Sequence, residues 1–188
     1  IVEHNDDSGS VDEQAYIKKL TSDVRVVSIV HTSPVTGMTV DLEKITKEVR
    51  NVTPDCIIIV DGIQHSSHGA IDVQKYDIDG YVVSPYKMFS RHGYGVAWAS
   101  ERLCSLNKEQ LADGPFQNWE LGTRDAGSYA TFSDVVDYLD WLGSNFTESE
   151  NTRERLEASS IAIKSHEQEL VDLVTVSYTH LRAHETTD

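Results

Sequence analysis

The sequence predicts an α/β fold, a three-layer sandwich built around a mostly parallel β-sheet. Short apolar runs rich in β-branched residues alternate with segments of helical periodicity, in the order strand, helix, strand, helix, strand. The run at residues 57–60 shows no alternation of polar and apolar residues, which is typical of a strand covered on both faces. Right-handed crossovers over a parallel sheet produce this order of elements.

The predicted elements begin and end at turn residues and helix caps. In chain order they are the end of a strand at 1–4, a helix from about 12 to 20, a strand at 24–30, a helix over 42–49, a strand at 57–60, and strands at 78–83 and 95–99. Ser133 is predicted to cap a helix that Gly143 ends. A long amphipathic helix is expected from 150 to about 173.

Composition and charge exclude several classes of function. The net charge is −15 and the pI is near 4.8, which argues against nucleic acid or an anionic membrane as a partner, because both require clustered cations. The two cysteines, Cys56 and Cys104, provide neither a disulfide framework nor the spacing of a metal site. A reducing, cytoplasmic location is therefore expected.

Three chemically different side chains follow two of the predicted strands. Asp61 and Gln64 come directly after the strand at 57–60, and Lys87 follows the strand at 78–83. Ligands of open α/β sheets bind beyond the carboxyl ends of the strands, so these groups could face one crevice. Considered singly, each side chain is equally typical of an ordinary turn, helix cap or solvated loop.

The spacing of these residues resembles the cofactor site of class V aminotransferases and cysteine desulfurases, which are fold type I enzymes of pyridoxal phosphate. Four segments carry the resemblance in the family's order, across residues 1 to about 173. They are VSIVHTSPVTG, IIIVDGIQHSSHGAIDV, IDGYVVSPYKMFSRHGYGVAW and WELGTRD. The resemblance implies that the sheet is part of the large domain of such an enzyme and that the substrate is a small amino acid.

The resemblance implies that three residues bind the ring of the cofactor or its substituents. Lys87 would form a Schiff base with the aldehyde, since lysine is the amine that reacts with carbonyl cofactors. Asp61 would hold the proton of the ring nitrogen, which makes the ring an electron sink. Gln64 would donate a hydrogen bond to the phenolic oxygen.

Around the cofactor phosphate, the resemblance implies a contribution from two subunits. Ser84 matches the hydroxyl that binds the phosphate, and Thr123 resembles the residue that reaches the phosphate of the neighbouring subunit. A homodimer with shared sites is therefore expected. Tyr86 stands where the family commonly has a histidine, so a phenol that brings no positive charge replaces an imidazole. Pro34 replaces an asparagine that is usual in desulfurases.

The domain organisation is predicted from the same resemblance. Residues 1–174 are expected to be a partial large domain that includes the start of the long linking helix, without the small C-terminal domain. Residues 175–188 are interpreted as a non-native tail, because VSYTHLRAHET looks like the translation of a sequencing-library adapter. The alternative function is a catalytically inert fragment that at most binds cofactor or dimerises.

The histidines of the sequence have a competing interpretation, which is a metal site. His65, His68 and His92, together with Asp61, are residue types that bind zinc. No closed tetrahedral set of ligands follows from their spacing, so no metal is expected.

Overall fold

A four-stranded mixed sheet forms the centre of the fold. The computed structural model describes residues 1–11, 13–109, 112, 119 and 125–185. The strands are β1 (Val26–Val30), β2 (Ile57–Asp61), β3 (Gly80–Val83) and β4 (Val96–Ala99), and they lie in the order β1-β2-β3-β4. The first three strands are parallel and β4 is antiparallel to β3. The predicted α/β fold with a mostly parallel sheet is confirmed.

Five helices accompany the sheet within the described residues. They are α1 (Glu13–Ile17), α2 (Leu42–Val52), α3 (Glu101–Cys104), α4 (Ala126–Gly143) and α5 (Thr152–Glu185). The crossover helix α2 begins where the Asp41 carboxylate accepts a hydrogen bond from the backbone N–H of Lys44 at 3.1 Å. Its inward positions, which include Leu42, Ile45 and Val49, pack into the core beside β1 and β2.

Three predicted boundaries were wrong. Residues 1–4 do not form a strand. Helix α4 begins at Ala126 rather than after Ser133, because the Asp125 carboxylate accepts hydrogen bonds from the backbone N–H groups of Gly127 and Ser128 and so caps the helix eight residues earlier. Helix α5 continues beyond the predicted end near residue 173, as far as Glu185.

The chain forms two compact units. The first comprises residues 1–67 and 71–133, and the second comprises residues 68–70 with those from 134 onwards. Within the second unit, the Arg155 guanidinium lies 3.2 Å from the Asp140 carboxylate, and His68 Nδ1 lies 2.6 Å from Glu167 Oε1. In the described parts of both units, no helix has the length and apolar character needed to cross a bilayer.

A fully buried carboxylate, that of Asp79, connects the amino end of β3 to its neighbours. Oδ2 of Asp79 accepts hydrogen bonds from the backbone N–H of Ile58 and from Arg50, both at 2.9 Å. Oδ1 accepts from Arg102 at 2.7 Å and from Ser100 at 3.0 Å. Burial acts to raise the pKa of Asp79, but these donors together offset it and hold the pKa below its usual range.

Removing this carboxylate is expected to destabilise the fold strongly. In Asp79→Ala, the Arg50 guanidinium keeps its buried position, with 11% of the side chain exposed, but loses its buried anionic partner and retains the exposed carboxylate of Asp77, 3.4 Å from its Nε atom. We expect the free energy of unfolding to fall by about 3–5 kcal/mol, the usual effect of breaking a buried ion pair from one side. Urea denaturation followed by circular dichroism measures this change.

Asp55→Ala is the matched control, because Asp55 is an exposed aspartate in the turn that precedes β2. Its effect should remain within about 0.5 kcal/mol. Equal urea midpoints for the two variants would contradict the structural role assigned to Asp79. Since the pKa of Asp79 is lowered in the folded state, its contribution is present at neutral pH and is lost as the pH falls through the acidic range.

Candidate functional site

The candidate site lies where β2 and β3 end side by side. These strands are parallel, and Asp61, the last residue of β2, is paired in register with Val82 of β3. The loops that follow the two strands therefore leave the sheet together at the carboxyl ends of these parallel strands, called the carboxyl edge below. Ligand sites in open α/β sheets usually lie beyond these ends.

The structure brings Lys87 and Gln64 together across this edge. Lys87 lies in a 3₁₀ turn, Pro85–Met88, which starts directly after β3 because proline ends the strand. The amine Nζ of Lys87 donates a hydrogen bond to Gln64 Oε1 over 2.7 Å. Since Oε1 accepts from the lysine, the donor that Gln64 can offer to a ligand is its amide nitrogen.

Asp61 is half-buried at the end of β2 and remains part of the turn that follows. Its Oδ1 atom accepts a hydrogen bond from the backbone N–H of Ile63 at 3.0 Å, which fixes the orientation of the carboxylate. Within the described residues, Oδ2 of Asp61 has no hydrogen-bond partner. The carboxylate thus has one oxygen that serves the fold and one that can accept a proton from a ligand.

Two residues that carry hydroxyl groups, Ser84 and Tyr86, come shortly before Lys87 in the sequence. Ser84 occupies the cap position of the 3₁₀ turn, yet its side chain makes no capping hydrogen bond. Tyr86 has 40% of its surface exposed and stacks on the imidazole of His92, with ring centroids 4.3 Å apart and 19° between the ring planes. Thr123, the remaining predicted site residue, lies outside the described residues.

The donor set fits pyridoxal phosphate. The cofactor requires an amine for its aldehyde, a carboxylate for its protonated ring nitrogen and neutral or cationic donors for its phosphate. Lys87, Asp61 and the hydroxyls of Ser84 and Tyr86 are groups of these kinds, and all belong to the first compact unit. By contrast, no cluster of three or more His, Cys, Asp or Glu side chains that could hold a metal ion occurs in the described part of the chain.

A buried aromatic cluster behind this edge was missed by the sequence analysis. His31, directly after β1, is 4% exposed, and its Nδ1 atom lies 2.8 Å from the phenolic oxygen of Tyr81. The His31 ring also stacks on His65, with centroids 3.5 Å apart, and His65 Nδ1 lies 2.9 Å from Thr32 Oγ1. The available signal was weak: a histidine at a strand end and a tyrosine 50 residues later.

Two members of the cluster, His31 and Tyr81, are uncharged at physiological pH. Burial, with a smaller contribution from the adjacent His65, lowers the pKa of His31 from 6.5 to about 3. Burial raises the pKa of the Tyr81 phenol above its ordinary value, and Tyr76 and Asp61 add to the effect. Tyr81 therefore keeps its proton, and its hydroxyl shares a hydrogen bond with His31 Nδ1 in which the tautomer of the neutral imidazole determines the donor.

Gly62 is required because the Tyr81 ring occupies the space of a side chain. A β-carbon at residue 62 would overlap the Tyr81 ring. The backbone N–H of Gly62 also donates to the carbonyl oxygen of Val82 at 2.9 Å, so the turn cannot move away without losing this bond. The glycine between Asp61 and Gln64 thus lets the buried phenol support the turn that carries both residues.

We expect Gly62→Ala to destabilise the protein by about 1–3 kcal/mol, the usual cost of an added methyl group in a packed site. Gly95→Ala is the control, because a β-carbon there would meet only the carbonyl oxygen of Val83, at an ordinary 3.6 Å. The midpoints of urea denaturation compare the two variants. A midpoint for Gly62→Ala at or above that of Gly95→Ala would show that Tyr81 does not restrict this turn.

The buried His31 predicts a pH dependence of stability. Its pKa is lowered in the folded state, so the unfolded chain takes up a proton near pH 6.5 while the folded protein does not. The stabilisation is thus complete above that pH and is lost as the pH falls towards 3. Between pH 7 and pH 5 this residue should reduce the free energy of unfolding by about 1–2 kcal/mol. His31→Gln should remove that share of the slope in urea titrations at the two pH values; an unchanged slope would contradict the neutral buried imidazole.

Comparison with known proteins reveals a consistent group of relatives. The model of the family described as aminotransferase class-V matches residues 2–162. A probable cysteine desulfurase of Mycoplasma genitalium is 32% identical over 94 residues, which are 50% of this chain and 23% of that protein. An aminotransferase-like protein of Gibberella zeae is 29% identical over 155 residues, covering 80% of this chain and 35% of the relative.

The fold has counterparts among solved structures. The apo structure of a cysteine desulfurase from Thermococcus onnurineus superimposes with a TM-score of 0.73 at 22% sequence identity, over 97% of this chain and 44% of that one. At this level of identity the likeness concerns the fold. The chain spans less than half of the length of each of these three proteins.

Proposed function

Because the chain belongs to the aminotransferase class-V family, whose enzymes use pyridoxal phosphate, we propose that it carries the cofactor site of an enzyme that acts on a small amino acid. The observation that carries this proposal is the contact of 2.7 Å between Lys87 Nζ and Gln64 Oε1 at the edge where Asp61 ends β2. An amine and an amide from two loops meet there, and the carboxylate of Asp61 belongs to the strand that precedes one of these loops.

Lys87 is the proposed point of attachment, through a Schiff base between Nζ and the cofactor aldehyde. When bound, the cofactor supplies an electron sink for bonds at the α-carbon of an amino acid. The hydrogen bond to Gln64 orients Nζ towards the end of β2, and the 3₁₀ turn restricts the backbone of the lysine. A restricted amine loses less conformational entropy when it becomes attached.

Asp61 and Gln64 are proposed to recognise the ring of the cofactor. The Oδ2 atom of Asp61 would accept the proton of the ring nitrogen, while Oδ1 remains bonded to the Ile63 N–H. The amide nitrogen of Gln64 would donate to the phenolic oxygen. Both side chains are positioned by one turn that is packed on Tyr81, so a single support serves both ends of the ring.

The phosphate would be bound by hydroxyl groups of this chain and of a partner. Ser84 and Tyr86 lie on the loop that carries Lys87 and supply neutral donors. Thr123 is proposed to reach the phosphate of a neighbouring subunit, so that two copies of the chain form a homodimer with shared sites. A cytoplasmic location remains part of this proposal.

The reaction type depends on parts of the relatives that this chain does not match. Transamination, lyase chemistry and desulfuration therefore all remain within the proposal. The division into a partial large domain at 1–174 and a non-native tail at 175–188 stays a prediction. The second candidate is a chain that binds cofactor or dimerises without catalysis.

Borohydride reduction tests the proposed attachment directly. We expect the protein, incubated with pyridoxal phosphate and reduced, to carry one covalent adduct on Lys87, because reduction converts an imine into a stable amine. Peptide mapping by mass spectrometry locates the adduct. Lys87→Ala should abolish it, whereas Lys44→Ala, at an exposed lysine paired with Asp41, should leave it unchanged.

Two outcomes of this experiment separate the candidates. An absent adduct, or one that survives Lys87→Ala, would remove the proposed cofactor site. With the adduct established, unreduced protein is titrated with a panel of amino acids while the absorbance of the cofactor is recorded. A spectral change supports the enzyme, and an unchanged spectrum with every amino acid supports the catalytically inert chain.

A further inference from the structure

We infer that His92 is a binding residue for the cofactor phosphate and supplies the positive charge that Tyr86 lacks. The inference rests on the proposed function and adds a residue to it. His92 lies five residues after Lys87, on the same loop between β3 and β4.

The stacked pair places an imidazole beside the phenol that follows Pro85. The two rings are nearly parallel, at 19°, and their centroids are 4.3 Å apart, so any ligand that contacts the Tyr86 hydroxyl lies within a few ångströms of the His92 ring. Gly93, with a φ of 102°, follows His92 and permits the sharp turn in which this histidine lies. The geometry is therefore determined by the backbone as well as by the stacking.

Charge makes this imidazole significant. The whole chain has a net charge of −15, and a phosphate dianion binds best to charge-assisted donors. Between Ser84 and Gly95, the side chains that can carry positive charge are Lys87, Arg91 and His92. Lys87 is committed to the aldehyde in the proposed function, and Arg91 forms an ion pair with the Asp125 carboxylate, at 3.5 Å.

A purely structural role explains the pair less well. Tyr86 is 40% exposed and His92 is also exposed, so their stacking adds little to the buried core. Surface stacking of this kind orients two polar edges without excluding water from them. An imidazole N–H at this position can donate a hydrogen bond to a phosphate oxygen.

The test compares pyridoxal phosphate with pyridoxal, which has the same aldehyde and ring but no phosphate. Apparent dissociation constants are measured by absorbance for the unaltered chain, His92→Ala and His92→Lys. His4→Ala is the control at an exposed histidine outside the site. Circular dichroism verifies that each variant is folded.

We expect His92→Ala to weaken binding of pyridoxal phosphate about tenfold, which corresponds to the loss of one charge-assisted hydrogen bond. In the same variant, the apparent dissociation constant of pyridoxal should change by less than about twofold. In His4→Ala, the dissociation constants of both ligands should also change by less than about twofold. His92→Lys, which restores a cation, should recover most of the lost affinity for pyridoxal phosphate.

Other outcomes overturn the inference in distinguishable ways. Equal losses for both ligands would show that His92 supports the loop rather than the phosphate. Unchanged affinity for pyridoxal phosphate in His92→Ala would exclude His92 as a phosphate-binding residue. An adduct on Lys87 would in that case still support the proposed cofactor site. If the unaltered chain binds no pyridoxal phosphate at all, the proposed function fails and this inference fails with it.

Discussion

The buried carboxylate of Asp79 is the interaction on which the arrangement of this sheet depends. It accepts hydrogen bonds from Ile58 of β2, from Arg50 of α2 and from Arg102 of α3, and the backbone of Asp79 bonds to Ile58 and Ser100 as well. These bonds fix β3 against β2 at its amino end. Because the strands are parallel, the same register determines which residues lie together at their carboxyl ends. A network at the amino ends of the strands therefore sets the positions of the proposed reactive groups at their carboxyl ends.

At the carboxyl edge, a second and smaller network performs the local positioning. The phenolic oxygen of Tyr81 lies 2.8 Å from His31 Nδ1, and the Tyr81 ring fills the space over Gly62, so the turn from Asp61 to Gln64 rests on a pair of uncharged rings. The neutrality of His31 bears on the proposed site, because a cation directly behind Asp61 would compete for its carboxylate. The low pKa of His31 is thus the electrostatic counterpart of the steric support from Tyr81.

Much of the sheet could be predicted from sequence because its strands are short β-branched runs bounded by turn residues. The juxtaposition of Lys87 and Gln64 was predictable for the same reason, since both follow parallel strands. The start of α4 was mispredicted because Asp125 and Ser133 are both acceptable caps by type, and only the actual hydrogen bonds distinguish them. Asp79 and the contact between His31 and Tyr81 could not be predicted, because each joins residues that are distant in sequence, and no local pattern records such pairings.

The antiparallel pairing of β3 with β4 has a consequence for how such a site could diversify. The segment that carries Ser84, Lys87 and His92 is closed at both ends by strands that are hydrogen-bonded to each other, from Val83 paired with Val96 to Gly80 paired with Ala99. Substitutions or small insertions between residues 88 and 95 could alter the surroundings of the proposed phosphate site while the paired strands keep the ends of the loop in place. The loop is in this sense an exchangeable module, in which affinity for the proposed cofactor would be tuned separately from the proposed attachment at Lys87.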